Sequence, residues 1–283
     1  MRLLKDYLLK AEEFLREKQV VKPRLEAQLI FSHVLNIPRI SLYTNEQLPL
    51  ENSEVNRLRE LLVEKSKGKP TAYLLGKKEF FSLEFEVNEH VLIPRPETEE
   101  LCEWVIESEH KELPLICDLA TGSGCIAAVL ASEMNCEKIL ALDISPQALE
   151  VAAKNLAKHC PEVSYELIHS DLFADVSADY HGKLDMIVSN PPYIPTSEFN
   201  QLMPAVKDFE PEAALHCENP LAFFKRLFNE AFQFLKSGAP LYVETNPTLI
   251  EDQQQLLLAA GFSRAEIKHD LAGKARFLRG YKP

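Results

Sequence analysis

Along the first part of the chain, apolar residues recur at intervals of three and four. Leu3, Leu4, Tyr7, Leu8, Ala11, Phe14 and Leu15 form one set, Leu25, Leu29, Ile30, His33 and Val34 a second, and Val55, Leu58, Leu61 and Leu62 a third. That spacing gathers the apolar positions on one helix face, so residues 1–68 are expected to be helical. Pro23 suits the first turn of the second helix and Pro38 lies beyond its end. The period changes after residue 76. Glu79-Phe80-Phe81-Ser82-Leu83-Glu84-Phe85-Glu86-Val87 alternates polar and apolar positions, as a hairpin does. From there, short apolar runs at 113–119, 138–143, 165–168, 184–189, 240–243 and 275–278 read as strands separated by helical stretches. Such alternation predicts a mainly parallel, doubly wound α/β sheet. The expected organisation is a helical domain over 1–75, a β-hairpin linker over 76–92 and an α/β domain over 93–283, with no internal repeat.

Two strand ends carry candidate chemistry. The run Leu184-Asp185-Met186-Ile187-Val188-Ser189 stops at Asn190-Pro191-Pro192-Tyr193. Consecutive prolines lack the N–H groups that a sheet ladder needs. Asn190 is therefore expected at the C-terminal edge of a strand, where an open α/β sheet meets its ligand crevice. The Asn190 side-chain carbonyl and the Pro191 carbonyl are two acceptors on stiff backbone, and Tyr193 supplies a flat face. Together they form a cradle for a planar NH2 group; the plainer alternative is a proline-rich turn with an exposed Tyr. Upstream, the strand at 113–119 runs into Ala120-Thr121-Gly122-Ser123-Gly124 and an apolar helix pattern from Cys125 to Met134. A glycine turn before a helix lets a ligand approach the backbone closely. The next strand ends in Asp143, an acceptor suited to the two hydroxyls of a ribose. Gly122-x-Gly124-x-x-Ala127 with Asp143 also fits a dinucleotide fingerprint, so the glycine turn alone leaves open a dehydrogenase, a methyltransferase or a structural turn. Its pairing with the Asn-Pro-Pro-Tyr loop favours the methyltransferase.

Composition narrows this further. The chain has 283 residues, 46% of them hydrophobic, which suits one or two folded domains rather than disorder. The net charge of −12 is uneven: residues 1–90 hold 15 Lys/Arg against 14 Asp/Glu, and the remainder stands at −13. A catalytic domain of that sign repels a phosphate backbone, which counts against a nucleic-acid substrate. The six cysteines form no Cys-x-x-Cys pair and have no His at ligand spacing, so no metal site is expected. With no signal-like start and no long apolar run, a soluble cytoplasmic protein, expected to be a monomer, is the reading.

Over nearly its whole length the chain resembles the HemK/PrmC family of release-factor glutamine methyltransferases. The resemblance lies in Glu79-Phe80-Phe81-Ser82-Leu83, in Val91-Leu92-Ile93-Pro94-Arg95-Pro96-Glu97-Thr98-Glu99, in Asp118 through Gly124, in Asp143 through Leu149, in Ser170-Asp171-Leu172-Phe173, in Asn190 through Tyr193, in Phe209 through Leu215 and in Asp270 through Arg276. The Asn-Pro-Pro-Tyr loop alone is shared with adenine and cytosine amino-methyltransferases; the Ile-Pro-Arg-Pro-Glu-Thr-Glu segment is more specific. The resemblance implies a Rossmann-like, seven-stranded methyltransferase domain that uses S-adenosyl-L-methionine and releases S-adenosyl-L-homocysteine. It further implies that Ala120, Thr121, Gly122, Ser123 and Gly124 line the methionine end of the cofactor. Asp143 would hold its ribose, Asp171 and Leu172 its adenine, and Asn190 would border both cofactor and substrate. Asn190, Pro191, Pro192 and Tyr193 would hold the side-chain amide of the Gln in the Gly-Gly-Gln loop of a release factor, and the helical domain would recognise that protein. Arg95, Glu97 and Thr98 are candidates either for the site or for a structural clasp. Two positions depart from the family: Ala120 replaces a usual Gly, and Glu244-Thr245-Asn246-Pro247-Thr248-Leu249 replaces a Glu-x-Gly-x-x-Gln pattern. A methyl at residue 120 is accommodated at negative φ and crowds the cofactor otherwise. The competing functions are an amino-methyltransferase acting on a flipped base, an NAD-dependent oxidoreductase and a pure interaction module.

Overall fold

The computed structural model describes residues 3–109 and 112–283. The chain divides into two compact units. One ends at Lys77 and also takes in Met203–Phe209; the other comprises Lys78–Leu202 and Glu210–Pro283. The first unit holds α1 (Leu4–Glu17), α2 (Pro23–Leu35), α3 (Ser41–Thr44), α4 (Asn52–Ser66) and α5 (Thr71–Leu75). Leu4, Ala11, Leu15, Ile30, Phe31, Leu58 and Leu61 close its core; all but Phe31 belong to the apolar period of the sequence, while in α2 Ala27 and Phe31 are buried with Ile30 and the expected Leu25, Leu29, His33 and Val34 are half-buried. A buried-side ion pair of Lys65 with Glu26 ties α4 to α2 at 3.3 Å.

The second unit opens with a hairpin, β1 (Lys77–Phe80) and β2 (Leu83–Glu86), turned by Phe81 and Ser82 at φ +51° and +60°. Two successive positive φ values make the turn twist with its strands. Phe80 and Phe85 are fully buried in the core of this unit. Helix and strand then alternate: α6 (Pro96–Ser108), β3 (Leu115–Leu119), α7 (Cys125–Glu133), β4 (Lys138–Asp143), α8 (Pro146–His159), β5 (Ser164–His169) and β6 (Met186–Ser189). After the short α9 (Thr196–Phe199) and α10 (Pro204–Lys207) come α11 (Pro220–Phe234), β7 (Pro240–Glu244), α12 (Ile250–Ala259), β8 (Ser263–His269) and β9 (Ala275–Tyr281). The compact units are not each one continuous stretch of chain. The hairpin from Lys78 onward belongs with the second unit, and Met203–Phe209 belongs with the first, where the Phe209 ring covers Gly68.

Seven strands form one sheet in the order β5-β4-β3-β6-β7-β9-β8, parallel except for β9, which is antiparallel to both neighbours. Alternate residues of each strand face opposite layers. Ile116, Ile139, Met186 and Val188 pack under α6, α7 and α8, while Cys117, Leu140, Ile187 and Leu241 pack under α11 and α12. Proline begins α6, α8 and α11, where its missing N–H costs no helical bond. The chain leaves β3 toward β4 and β5, then crosses back to β6 on the other side of β3. That reversal opens a crevice at the C-terminal ends of β3 and β6. Among the described residues no helix is long and apolar enough to cross a membrane.

Candidate active site

A cavity of about 500 Å³ lies at this reversal. Its floor is the turn after β3. Thr121 N–H donates to the Leu142 carbonyl at 2.9 Å and Gly124 N–H to the Thr121 carbonyl at 2.8 Å. Gly122 sits at φ +54°, and a side chain there would project into open space. Gly124 sits at φ +76°, and a Cβ would come within 3.2 Å of Ala152. The first glycine keeps the cradle open and the second lets α7 pack on α8. Fully buried Asn155 braces the turn from below, donating to the Ser123 carbonyl at 2.8 Å and exchanging bonds with the Glu86 backbone.

Ala120 adopts φ +59°. This is the conformation in which a methyl group is strained, by roughly 1–2 kcal/mol for a left-handed L-residue. Ala120→Gly should relieve that strain, offset by the ~0.5–1 kcal/mol of extra chain entropy that Gly loses on folding. The expected result in a thermal melt is an unchanged or raised Tm; a clear fall would contradict the strain.

Asp118 anchors the same turn. Its Oδ2 accepts from Thr121 Oγ1 at 2.7 Å and from Ala127 N–H at 3.1 Å, while Oδ1 is buried with no partner among the described residues. Burial pushes its pKa up from 3.8 to about 7, against the lowering effect of those two bonds. The folded protein therefore keeps a proton that the unfolded chain releases between pH 3.8 and about 7. Stability falls as pH rises through that window, by on the order of 4 kcal/mol from this group. Asp118→Asn cannot ionise, so its Tm should vary less with pH over this range than that of the wild type. Parallel profiles for the two proteins would contradict the assignment.

At the end of β4, Asp143 Oδ2 accepts from Gly122 N–H and Oδ1 from Ser145 N–H, each at 2.9 Å. One carboxylate thus holds both the glycine turn and the start of α8, and keeps further lone pairs for the cavity it lines. Burial raises its pKa, and the backbone donors oppose that shift. Asp171 and Leu172 lie on the wall beside it. Asp171 is ion-paired with Arg226, and Leu172 takes φ +52°. Exposed Ile144 and buried Ile126 add apolar surface.

The opposite wall is the loop after β6. Ser189 Oγ donates to the Leu119 carbonyl at 2.7 Å, which links the two strand ends that frame the crevice. Asn190 Nδ2 donates to Thr98 Oγ1 at 3.0 Å, and Thr98 Oγ1 donates to Glu244 Oε2 at 2.8 Å. Tyr193 OH donates to Glu244 Oε1 at 2.9 Å. Burial raises the Glu244 pKa, and the hydroxyls of Thr98 and Tyr193 and the charge of Arg276 act the other way. Burial and the nearby Glu244 together hold the Tyr193 phenol well above its ordinary value. Arg95 is paired with nearly buried Glu210 at 2.5 Å, and Glu210 also accepts from Ile93 N–H at 3.2 Å. This pair fixes the Ile-Pro-Arg-Pro segment along the cavity.

The cavity brings together Ala120, Thr121, Gly122, Ser123, Asp143, Asp171, Leu172, Asn190 and Pro192. Gly124, Pro191 and Tyr193 are not among its lining residues. Gly124 lies beneath the turn, Pro191 is buried, and the Tyr193 hydroxyl is turned to Glu244 rather than lying free beside an amide. Sequence reasoning gave Asn155 and Glu244 no part in the site, although Glu244 opens the segment flagged as unusual. That segment needs no glycine: neither Thr245 nor Asn246 has a positive φ, and Asn246 Oδ1 accepts from Thr248 N–H at 2.8 Å to close the turn. Among the described residues no group of three or more His, Cys, Asp or Glu is placed to hold a metal ion.

A seven-stranded sheet of this order, with a glycine turn, a strand-end acid and an Asn-Pro-Pro-Tyr loop around one crevice, defines a methyltransferase. Its fold is similar to that of a methyltransferase from Pyrococcus furiosus, with a TM-score of 0.53 at 19% identity over 80% of this chain and 98% of the other. Sequence profiles of the PrmC N-terminal domain and of the methyltransferase small domain match residues 6–76 and 105–208. The release factor glutamine methyltransferase of Leptospira interrogans serogroup Icterohaemorrhagiae serovar Lai (strain 56601) is 41% identical over 96% of this chain and 95% of its own length. That of Rhodopirellula baltica is 35% identical over 94% of this chain and 92% of its own length. The chain belongs to the release factor glutamine methyltransferase family.

Proposed function

We propose that this enzyme methylates a release factor on the side-chain amide nitrogen of the Gln in its Gly-Gly-Gln loop, with S-adenosyl-L-methionine as donor. The observation that carries the reading is the orientation of Asn190. Its nitrogen is committed to Thr98, so Oδ1 is the group it offers to the cavity. The residues fit the cofactor: open space above Gly122, the Asp143 carboxylate and the apolar Ile144 and Leu172 suit a methionine backbone, a ribose and an adenine in turn. When bound, S-adenosyl-L-methionine supplies an electrophilic methyl group on a sulfonium.

An amide nitrogen is a weak nucleophile because its lone pair is delocalised, and no base near neutral pH removes its proton first. The Asn190 Oδ1 would accept one N–H of the substrate amide, and the Pro191 carbonyl, the next acceptor along the same loop although Pro191 itself is buried behind the cavity lining, would accept the other. This fixes the direction of the nitrogen and favours the positive charge that builds on it. The proton passes afterwards to solvent water, when the nitrogen has become acidic. Pro192 would border the amide and help exclude water, while Tyr193 would hold the loop through Glu244. The helical unit would recognise the release factor, in the cytoplasm and with the enzyme a monomer. Incubation with labelled S-adenosyl-L-methionine and separate release-factor, DNA and rRNA acceptors tests this. Label in the release factor alone is expected; label in a nucleic acid alone would give the reaction to the base-modifying alternative.

A further inference from the structure

We propose that Glu244, acting through Thr98, is the positioning residue that decides which end of the Asn190 amide faces the substrate. The inference rests on the reading of Asn190 Oδ1 as an acceptor for the substrate amide. Asn190, Thr98 and Glu244 come from β6's exit loop, α6 and the end of β7, and are 92 and 146 residues apart in sequence along the two hydrogen bonds. Thr98 is 3% and Glu244 1% exposed, so water does not substitute for these partners.

An Asn side chain can swap its oxygen and nitrogen by a half-turn with almost no change in shape. In one orientation Oδ1 faces the crevice and accepts from an NH2 group. In the other, Nδ2 faces the crevice, and two sets of donors oppose each other. Thr98 has a single hydroxyl hydrogen, and it goes to Glu244 Oε2. The lone pairs left on Thr98 Oγ1 can only accept, so Asn190 must present Nδ2 to them. The orientation needed for an acceptor in the crevice is therefore imposed from beneath the site. Glu244 Oε1 meanwhile accepts from Tyr193 OH, which anchors the far end of the same four-residue loop. A Gln at 244 would bring an N–H of its own. It could donate to Thr98 Oγ1, release the Thr98 hydrogen to Asn190 Oδ1, and permit the unproductive orientation.

The test is single-turnover methyl transfer to a release factor with cofactor saturating, alongside cofactor Kd by calorimetry. Glu244→Gln and Thr98→Val should each lower the transfer rate by about tenfold or more, short of the ~10²–10³-fold cost of deleting the oriented polar group outright, with cofactor Kd nearly unchanged. Thr98→Ser, which restores the hydroxyl, should recover most of the rate. In an Asn190→Ala background, Thr98→Val should cause no further loss, because the group it orients is gone. Wild-type rates in Thr98→Val, beside a slow Asn190→Ala, would overturn the relay and leave the acceptor reading standing. Additive losses in the double variant would also overturn it, as the mark of a general packing role. A wild-type rate in Asn190→Ala would remove the acceptor reading and the relay together. Val differs from Thr only by a methyl in place of the hydroxyl, so Thr98→Val decides the matter even where Glu244→Gln fails to fold.

Discussion

Asn190→Ala is expected to slow methyl transfer by about 10²–10³-fold, the cost of removing one oriented polar group at a centre where charge develops. The loss should fall on turnover rather than on cofactor affinity. The bond from Oδ1 gains most in strength as the substrate nitrogen becomes positive, and only interactions that strengthen in the transition state raise the rate. Asn190→Asp should not restore activity. An Asp would keep an oxygen toward the crevice but could not donate to Thr98, whose only hydrogen already goes to Glu244. Two carboxylates would then compete for one hydroxyl in a buried place, an arrangement that favours protonation or a shifted loop. The measurement is single-turnover transfer at saturating cofactor. A near-wild-type rate for Asn190→Ala would mean that the Asn-Pro-Pro-Tyr loop is a structural turn.

Asp143→Ala should weaken S-adenosyl-L-methionine binding by roughly 10- to 100-fold. Hydrogen bonds to a charged acceptor are worth ~1.5–3 kcal/mol, and each 1.4 kcal/mol is tenfold in affinity. The structure adds a second reason for a loss at the upper end. Asp143 also accepts from the N–H groups of Gly122 and Ser145, so its removal loosens the turn beneath the cofactor as well as deleting the ribose acceptor. Asp143→Asn retains one acceptor oxygen and should fall between wild type and Ala. Titration calorimetry decides this. Unchanged affinity in Asp143→Ala, or tight binding of NAD by the wild type, would contradict the cofactor assignment.

The sheet was legible in the sequence because its central strands are apolar runs that stop at identifiable punctuation. Leu119 gives way to the glycine turn, Asp143 to Ser-Pro, and Ser189 to two prolines. β8 was missed for the opposite reason. Ser263-Arg264-Ala265-Glu266-Ile267-Lys268-His269 lies at the edge of the sheet, half-buried, with charged residues on its outer face and only Ala265 and Ile267 turned inward. Edge strands carry such charges to discourage further pairing, and the apolar signal is lost with them. Within the site, the residues on local motifs could be read from the chain. Those that act across long sequence separations could not: Asn155 reaches the glycine turn from the middle of α8, and Glu244 reaches Asn190 through Thr98 from the end of β7. The conformation of Ala120 was hidden too, since the backbone there is set by the turn around it and not by the residue's own preference. For Tyr193 the chain offered an aromatic beside two carbonyls; the buried carboxylate that its hydroxyl meets is supplied only by the folded chain.

In this mechanism the Asn190 cradle holds the amide nitrogen of a Gln side chain. The most direct test is mass spectrometry of a release factor after incubation with the enzyme and S-adenosyl-L-methionine, with fragmentation to place the added methyl. A single methyl group is expected on the side-chain nitrogen of the Gly-Gly-Gln glutamine, absent when that Gln is replaced. A methyl on any other residue, or none on the release factor while a nucleic-acid amino group is methylated by the same protein, would contradict it.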